Sequence, residues 1–247
     1  MSTKALLRTV RPTAIRSFKA PQRTFITLPG VESQSLTATR ILPYKPSSLY
    51  TIIADVDSYS SFLPYCLDSK VTKWSAPDAN GNRWPAEGDL KIGWGGFEET
   101  FTSRLFCVPG SIVEALGGEA VTDLPKSDLA HHAATFDAPA VANNIFKSIR
   151  TRWHVKPFQY KPPAGQLQPN RMGLPAREQT EVHLSIDFLF SNPIYAALSK
   201  AVAPKVASVM IEAFEVRAKK LLDGPGADVK GPLPLDGPLG AGKKIGA

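Results

Sequence analysis

Two stretches of the chain alternate apolar and polar side chains with a period of two. Ile149, Thr151, Trp153 and Val155 oppose Arg150, Arg152 and His154. Val182, Leu184, Ile186, Phe188 and Phe190 oppose Glu181, His183, Ser185 and Asp187. This period places alternate side chains on opposite faces of a strand, so both segments read as strands with one covered and one wet face. That is the pattern of an antiparallel sheet. Further strands are expected at 34–42, where Thr and aliphatic residues run up to Pro43, and at 67–75, 89–94, 97–108 and 111–116. Pro46 opens a helix running to Val56, with Leu49, Ile52, Ile53 and Val56 on one face. Asp57 starts a second short helix over 58–63, which Pro64 stops.

Residues 192–222 read as one long helix. Lys205, Ser208, Glu212, Glu215 and Lys219 make a single polar stripe, and the remainder is mostly apolar, including Val202, Val206, Val209, Met210, Ile211, Phe214 and Leu221. The apolar arc is wider than a surface helix needs. It suits a helix lying across a curved sheet and facing whatever fills the space between them. Residues 117–144, rich in Ala, Asp and Pro and carrying His131 and His132, read as a surface insertion between strands, as do the proline-rich residues 157–178. The Gly- and Pro-rich segment 223–247 reads as a disordered tail. The element order over 34–222 is β-α-α-β-β-β-β-β-β-α in one domain, an α+β class.

Composition and charge refine this picture. The chain is 43% hydrophobic, ample for a core, yet no stretch reaches the run of about 20 apolar residues that spans a bilayer as a helix. The formal charge of +7 is concentrated at the start. Lys4, Arg8, Arg11, Arg16, Lys19 and Arg23 precede the first acid, Glu32, and without them 23 cations face 22 acids. An Arg-rich, acid-free leader with interspersed Leu6, Leu7, Val10, Ile15 and Phe18 reads as a mitochondrial transit peptide over 1–28, with cleavage expected near residue 26. The nearly neutral body is a poor match for a phosphate polymer, so no nucleic-acid partner is expected. Cys66 and Cys107 read as free thiols, with a disulfide as the alternative.

The order of elements is the helix-grip arrangement, in which a curved antiparallel sheet wraps around a long C-terminal helix. Particular residues carry a closer likeness. They are Arg-Ile-Leu-Pro-Tyr-Lys-Pro (40–46), Leu-Tyr-Thr-Ile-Ile-Ala-Asp-Val-Asp-Ser-Tyr-Ser-Ser-Phe-Leu-Pro-Tyr-Cys (49–66) and Phe-Glu-Glu-Thr-Phe-Thr-Ser-Arg (97–104). Three more are Phe-Lys-Ser-Ile-Arg-Thr-Arg-Trp (146–153), Ile-Asp-Phe-Leu-Phe-Ser-Asn-Pro (186–193) and Glu-Ala-Phe-Glu-Val-Arg-Ala-Lys-Lys-Leu (212–221). In these the chain resembles the mitochondrial coenzyme Q-binding proteins, a START-like group within the polyketide cyclase/START superfamily that includes bacterial ribosome-association toxins. The resemblance implies coenzyme Q (ubiquinone) as a bound ligand rather than a catalytic cofactor. It also implies a role as chaperone or carrier in respiratory electron transport and quinone biosynthesis. The expected place is the matrix side of the inner mitochondrial membrane, peripheral to its surface, beside quinone-biosynthesis or respiratory complexes.

Spacing and composition alone imply an apolar cavity. Each prenyl methylene withdrawn from water is worth about 0.8 kcal/mol, so a carrier needs a long apolar lining and few polar groups. Expected lining residues are Ile92, Trp94, Phe101, Trp153, Leu184, Ile186, Phe188, Val202, Val206 and Met210, with Tyr50, Phe62 and Leu63 from the early helices. The turns Trp94-Gly-Gly-Phe97 and Phe62-Leu63-Pro64-Tyr65 are the expected membrane-docking mouth, since aromatic residues favour the membrane–water boundary. Alternatively, these aromatics fold back into the core.

Catalytic signals are sparse. His154 and His183 sit on polar strand faces, and no acid or thiol stands at a recognisable ligand spacing, so no metal site and no catalytic residue are expected. His131 and His132 are expected at the surface. Glu99, alternating with Phe101, either hydrogen-bonds a polar head group or sits as a surface acid. Two rivals remain: a START-like enzyme acting on an aromatic or polyketide-like substrate, which needs an acid–base pair in the cavity, and a ribosome-associating protein, which needs a basic surface.

Overall fold

The computed structural model describes residues 33–94, 96–136, 138, 144–158, 178–199 and 203–223. The expected leader, position 202 and most of the second insertion and tail lie outside the described residues, and so do the side chains of Trp94 and Phe97. Seven strands form one antiparallel sheet in the order β1-β7-β6-β5-β4-β3-β2. They are β1 (Gln34–Leu42), β2 (Cys66–Trp74), β3 (Pro85–Trp94), β4 (Phe97–Val108), β5 (Ile112–Gly118), β6 (Phe146–Pro157) and β7 (Thr180–Phe190). The alternation in β7 is complete: every second side chain from Thr180 to Phe190 is buried and those between are half-buried.

Helix α1 (Pro46–Ala54) buries Leu49, Ile52 and Ile53. A 3-10 turn over Val56–Ser61 stands where a second helix was expected at 58–63. It is pinned to β2 by the Asp57 carboxylate, which accepts the Val71 N–H at 2.6 Å, and by the Ser69 hydroxyl, which donates to the Val56 carbonyl at 2.6 Å. After a short helix α2 (Ala133–Phe136), the C-terminal part contains two helices among the described residues, α3 (Pro193–Ser199) and α4 (Ala203–Leu222). A single helix was expected over 192–222. Pro204 falls in the first turn of α4, where its missing N–H costs no helical hydrogen bond.

Two irregularities set which side chains face inward. Between Phe146 and Ser148 the β6·β7 register slips, so exposed Lys147 is bulged and Phe146 shares the inner face with Ile149. Gly118 makes this possible. Its φ is +61°, and a Cβ there would overlap the Lys147 carbonyl. A second slip, between Cys66 and Asp68, turns Cys66 inward and leaves Leu67 exposed.

The inner face meets α4 unevenly. At the C-terminal half of the helix Phe214 packs on Trp153, with ring centroids 4.3 Å apart, on Tyr59 at 5.4 Å and on Phe62 at 4.9 Å. The Arg217 guanidinium lies 5.4 Å from the Phe62 ring. These rings form a solid plug. Toward the N-terminal end of α4 the inward residues are Ala203, Val206, Ala207, Met210 and Ile211, with no ring among them.

The outer face carries a second, smaller core. Phe106 and Leu116 are covered by Leu129, with Leu124 and Phe136 alongside. Residues 119–136 therefore close over the sheet, where a surface insertion was expected. His132, also expected at the surface, is buried. The physical reason is a gap in the ladder. The β3–β4 pairing runs to Glu87 opposite Arg104, and farther along β4 the two histidines replace a strand. The Cys107 N–H donates to His132 Nε2 at 3.1 Å, and His131 Nε2–H donates to the Cys107 carbonyl at 3.0 Å. Beside them, Glu114 is buried and ion-paired to Arg152 at 2.5 Å, and Arg152 also binds Asp123, which fastens the segment to β6. Both Cys66 and Cys107 are free thiols.

Two outcomes follow from this packing. Phe214→Ala removes the centre of the plug and is expected to cost about 3–5 kcal/mol in urea unfolding. His132 must be neutral with its proton on Nδ1, and burial holds its pKa down to about 3. The unfolded chain then takes up a proton that the native state refuses. This contribution to stability is full above about pH 6.5 and is lost as pH falls toward 3. In 15N imidazole spectra His132 should show the Nδ1–H tautomer and no titration between about pH 8 and 5; a midpoint near the ordinary histidine value would contradict the assignment.

Candidate functional site

The plug fills only part of the space under α4, and beside it is a cavity of about 180 Å³. Its floor and aliphatic wall are Leu36 of β1, Leu63, Leu90 and Ile92 of β3, Ile149 and Thr151 of β6, Ile186 of β7, and Val206 and Met210 of α4. Four rings, Phe101, Phe146, Phe188 and Phe190, form an aromatic wall, with neighbouring centroids 5.1–6.0 Å apart. Pro64, Tyr65, Cys66 and Ala203 complete the lining, which contains no charged side chain and no histidine.

Tyr65 stands at the mouth with a φ of +66°, a left-handed conformation that costs a non-glycine residue strain. The Gly93 N–H donates to its carbonyl at 2.9 Å, tying this turn to the end of β3. Tyr65 is 40% exposed and Leu67, on the bulge beside it, 50%.

The structure brings together many of the residues that the sequence analysis named. Leu63, Ile92, Phe101, Ile186, Phe188, Val206 and Met210 all line the cavity, and so does Tyr65 of the expected mouth. Others lie elsewhere. Trp153 and Phe62 belong to the plug, and Leu184 lies opposite Trp153 and is fully buried. Tyr50 packs edge-on against Trp84, with centroids 5.2 Å apart, on the far side of the core. Leu63 is buried and does not project to solvent as a docking residue would. The Trp94 and Phe97 backbones pair at the β3–β4 hairpin. Val202 lies outside the described residues.

Several lining residues escaped the sequence analysis. Leu36, Leu90, Ile149, Thr151 and Phe190 continue the period-two pattern of strands already recognised, and that pattern could have found them. Phe146 could not be found this way, because the bulge at Lys147 reverses the phase.

The thiols are poor nucleophiles. Burial pushes the Cys66 thiol at the cavity wall up to about 11 and Cys107 up to about 12, so neither forms a thiolate near neutral pH. Just outside the lining, next to Ile92 and Phe101, Glu99 pairs with Tyr195. Glu99 lies opposite Ile92 in the β3–β4 register, and the Tyr195 hydroxyl of α3 donates to its carboxylate at 3.3 Å. On the outer face His154 pairs with His183 across β6 and β7, and His183 Nδ1 lies 2.9 Å from the Thr39 hydroxyl. Among the described residues no group of three or more His, Cys, Asp or Glu is placed to hold a metal ion.

The comparisons with known proteins agree with this geometry. The sequence model of the family described as "Polyketide cyclase / dehydrase and lipid transport" matches residues 42–215. The mitochondrial coenzyme Q-binding protein coq10 of Schizosaccharomyces pombe is 30% identical over 182 residues, 74% of this chain and 85% of the relative. The protein of the same name from Eremothecium gossypii is 26% identical, covering 91% of this chain and 94% of the relative. Among solved structures, the Zhui aromatase/cyclase from Streptomyces sp. R1128 superposes with a TM-score of 0.51 over 77% of this chain and 96% of that one. At 14% identity it speaks for the fold alone. A matched span of 42–215 and a relative this similar over most of its length place the chain in the polyketide cyclase/dehydrase and lipid transport family, together with the mitochondrial coenzyme Q-binding proteins.

Proposed function

We propose that this protein binds coenzyme Q (ubiquinone) in the cavity between α4 and the sheet and carries or chaperones it without changing it chemically. The observation that carries this reading is the lining itself: one continuous apolar wall, aliphatic on one side and aromatic on the other, with no charged group. Such a wall offers an isoprenoid chain about 0.8 kcal/mol for each methylene taken from water, and no carboxylate or histidine stands in it. The names of the fungal relatives point to the same ligand.

The enclosed volume of about 180 Å³ is below the range of about 300–1,000 Å³ of sites that engulf a drug-sized ligand. The head ring and the first isoprene units sit inside, and the rest of the tail leaves through the mouth. Tyr65 and Leu67, exposed beside that mouth, are the surface on which the protein rests against a bilayer. No described helix is long and apolar enough to cross a membrane, and this suits peripheral contact. The mitochondrial names of the relatives and the basic leader support a mitochondrial place, which we put on the matrix side of the inner membrane.

The test is to purify the full chain, extract it with organic solvent and identify the lipid by mass spectrometry. An intact prenylquinone near one equivalent is expected. Val206→Trp, which fills the cavity from the helix side, should reduce the bound quinone at least about tenfold while the chain stays folded by circular dichroism. A chemically altered product would support an enzyme instead, and an empty protein that cosediments with ribosomes would support ribosome association.

A further inference from the structure

The cavity is not uniform, and the asymmetry locates one end of a ligand. Phe101, Phe146, Phe188 and Phe190 gather on one side, with Phe146 at the centre: Phe190 is stacked on it at 5.1 Å, and Phe101 and Phe188 meet it edge-on at 5.8 and 6.0 Å. The other side is aliphatic, formed by Leu36, Leu63, Ile186 and Met210. Flat rings are favoured against aromatic walls, and isoprenoid chains need only hydrocarbon.

The polar pair lies beside the aromatic side. Glu99 is two residues before Phe101 on the same face of β4, and Tyr195 follows Phe190 by five residues, at the start of α3. Their hydrogen bond, 3.3 Å long, joins β4 to α3 next to the lining residues Ile92 and Phe101, within reach of the oxygens of a ring held among the phenylalanines. A ring carbonyl stripped of water needs a donor, and a ring hydroxyl needs an acceptor. The pair holds one of each.

We infer that Tyr195 and Glu99 are the head-group anchor of the cavity: the Tyr195 hydroxyl turns from Glu99 to donate to a ring carbonyl, and the Glu99 carboxylate accepts from the hydroxyl of the reduced ring. The ligand class is a prenylated benzoquinone together with its hydroquinone. This rests on the cavity's being a prenylquinone site, as proposed above, and adds which residues read the head and that both redox forms are held. The existing Tyr195–Glu99 bond is the resting arrangement, in which each partner satisfies the other until a ring arrives.

The experiment titrates the full chain, by calorimetry, with three probes: a benzoquinone bearing a two-isoprene tail, its reduced hydroquinone, and squalene, an isoprenoid hydrocarbon without a head. Tyr195→Phe is expected to weaken the oxidised ring about tenfold and leave squalene within about twofold of wild type. Glu99→Gln is expected to weaken the hydroquinone more than the quinone, because a carboxylate accepts more strongly than an amide. Equal losses for all three probes would mean that the pair only latches α3 to β4, and unchanged affinities would mean that it takes no part; either result overturns the inference. If wild type binds squalene but neither ring form, the prenylquinone reading itself fails and the anchor with it.

Discussion

The distance between α4 and the sheet is fixed at one end by the contact of Phe214 with Trp153. Two large rings at 4.3 Å, supported by Tyr59 and Phe62, hold the helix away from the strands. From Phe214 back to Ala203 the helix runs about 16 Å at 1.5 Å per residue, with no further aromatic side chain in that stretch. A stiff helix held off at one end cannot settle onto the sheet at the other, so the space opposite Ala203, Val206 and Met210 stays open. The cavity is thus a consequence of where the large side chains are placed. The same rings that hold the helix off also anchor the core, so dense packing and open space fall at opposite ends of one helix.

The opposite face shows how the chain affords an interrupted strand. Where β3 stops covering β4, His131 and His132 satisfy the Cys107 backbone from a segment that also buries Leu129. The Glu114–Arg152–Asp123 network holds that segment down, so the outer face of the sheet is a structural surface. The apolar cavity lies on the inner face. The bulges at Lys147 and Leu67 serve the inner face in complementary ways: one turns Phe146 into the aromatic wall, and the other turns Cys66 in and Leu67 out at the rim.

Much of this was legible in the sequence, for definable reasons. Alternation in β7 identified Ile186 and Phe188 as inward, and the wide apolar arc identified Val206 and Met210. Alternation reports a face, however, and not a position along it. Trp153 and Leu184 share the inward face with Ile149 and Ile186, yet they stand at the plug end. Phe146 was hidden by a phase reversal that depends on Gly118, whose role shows only once Lys147 is opposite it. Tyr195 was hidden by distance, since its partner Glu99 is 96 residues away and nothing local marks the pair. His132 read as a surface residue because its partner is a backbone amide, which leaves no pattern among side chains.

The central claim, that a prenylquinone occupies the end of the interior left open by the plug, is tested most directly by methyl NMR of the full chain titrated with a short-tailed prenylquinone. Shifts are expected on the methyls that line the cavity, among them Leu36, Ile92, Ile149, Ile186, Val206 and Met210, with Val182 and Leu184, at and beyond the plug, unmoved. Shifts centred on Val182 and Leu184, or found only on exposed groups such as Val216, would contradict it.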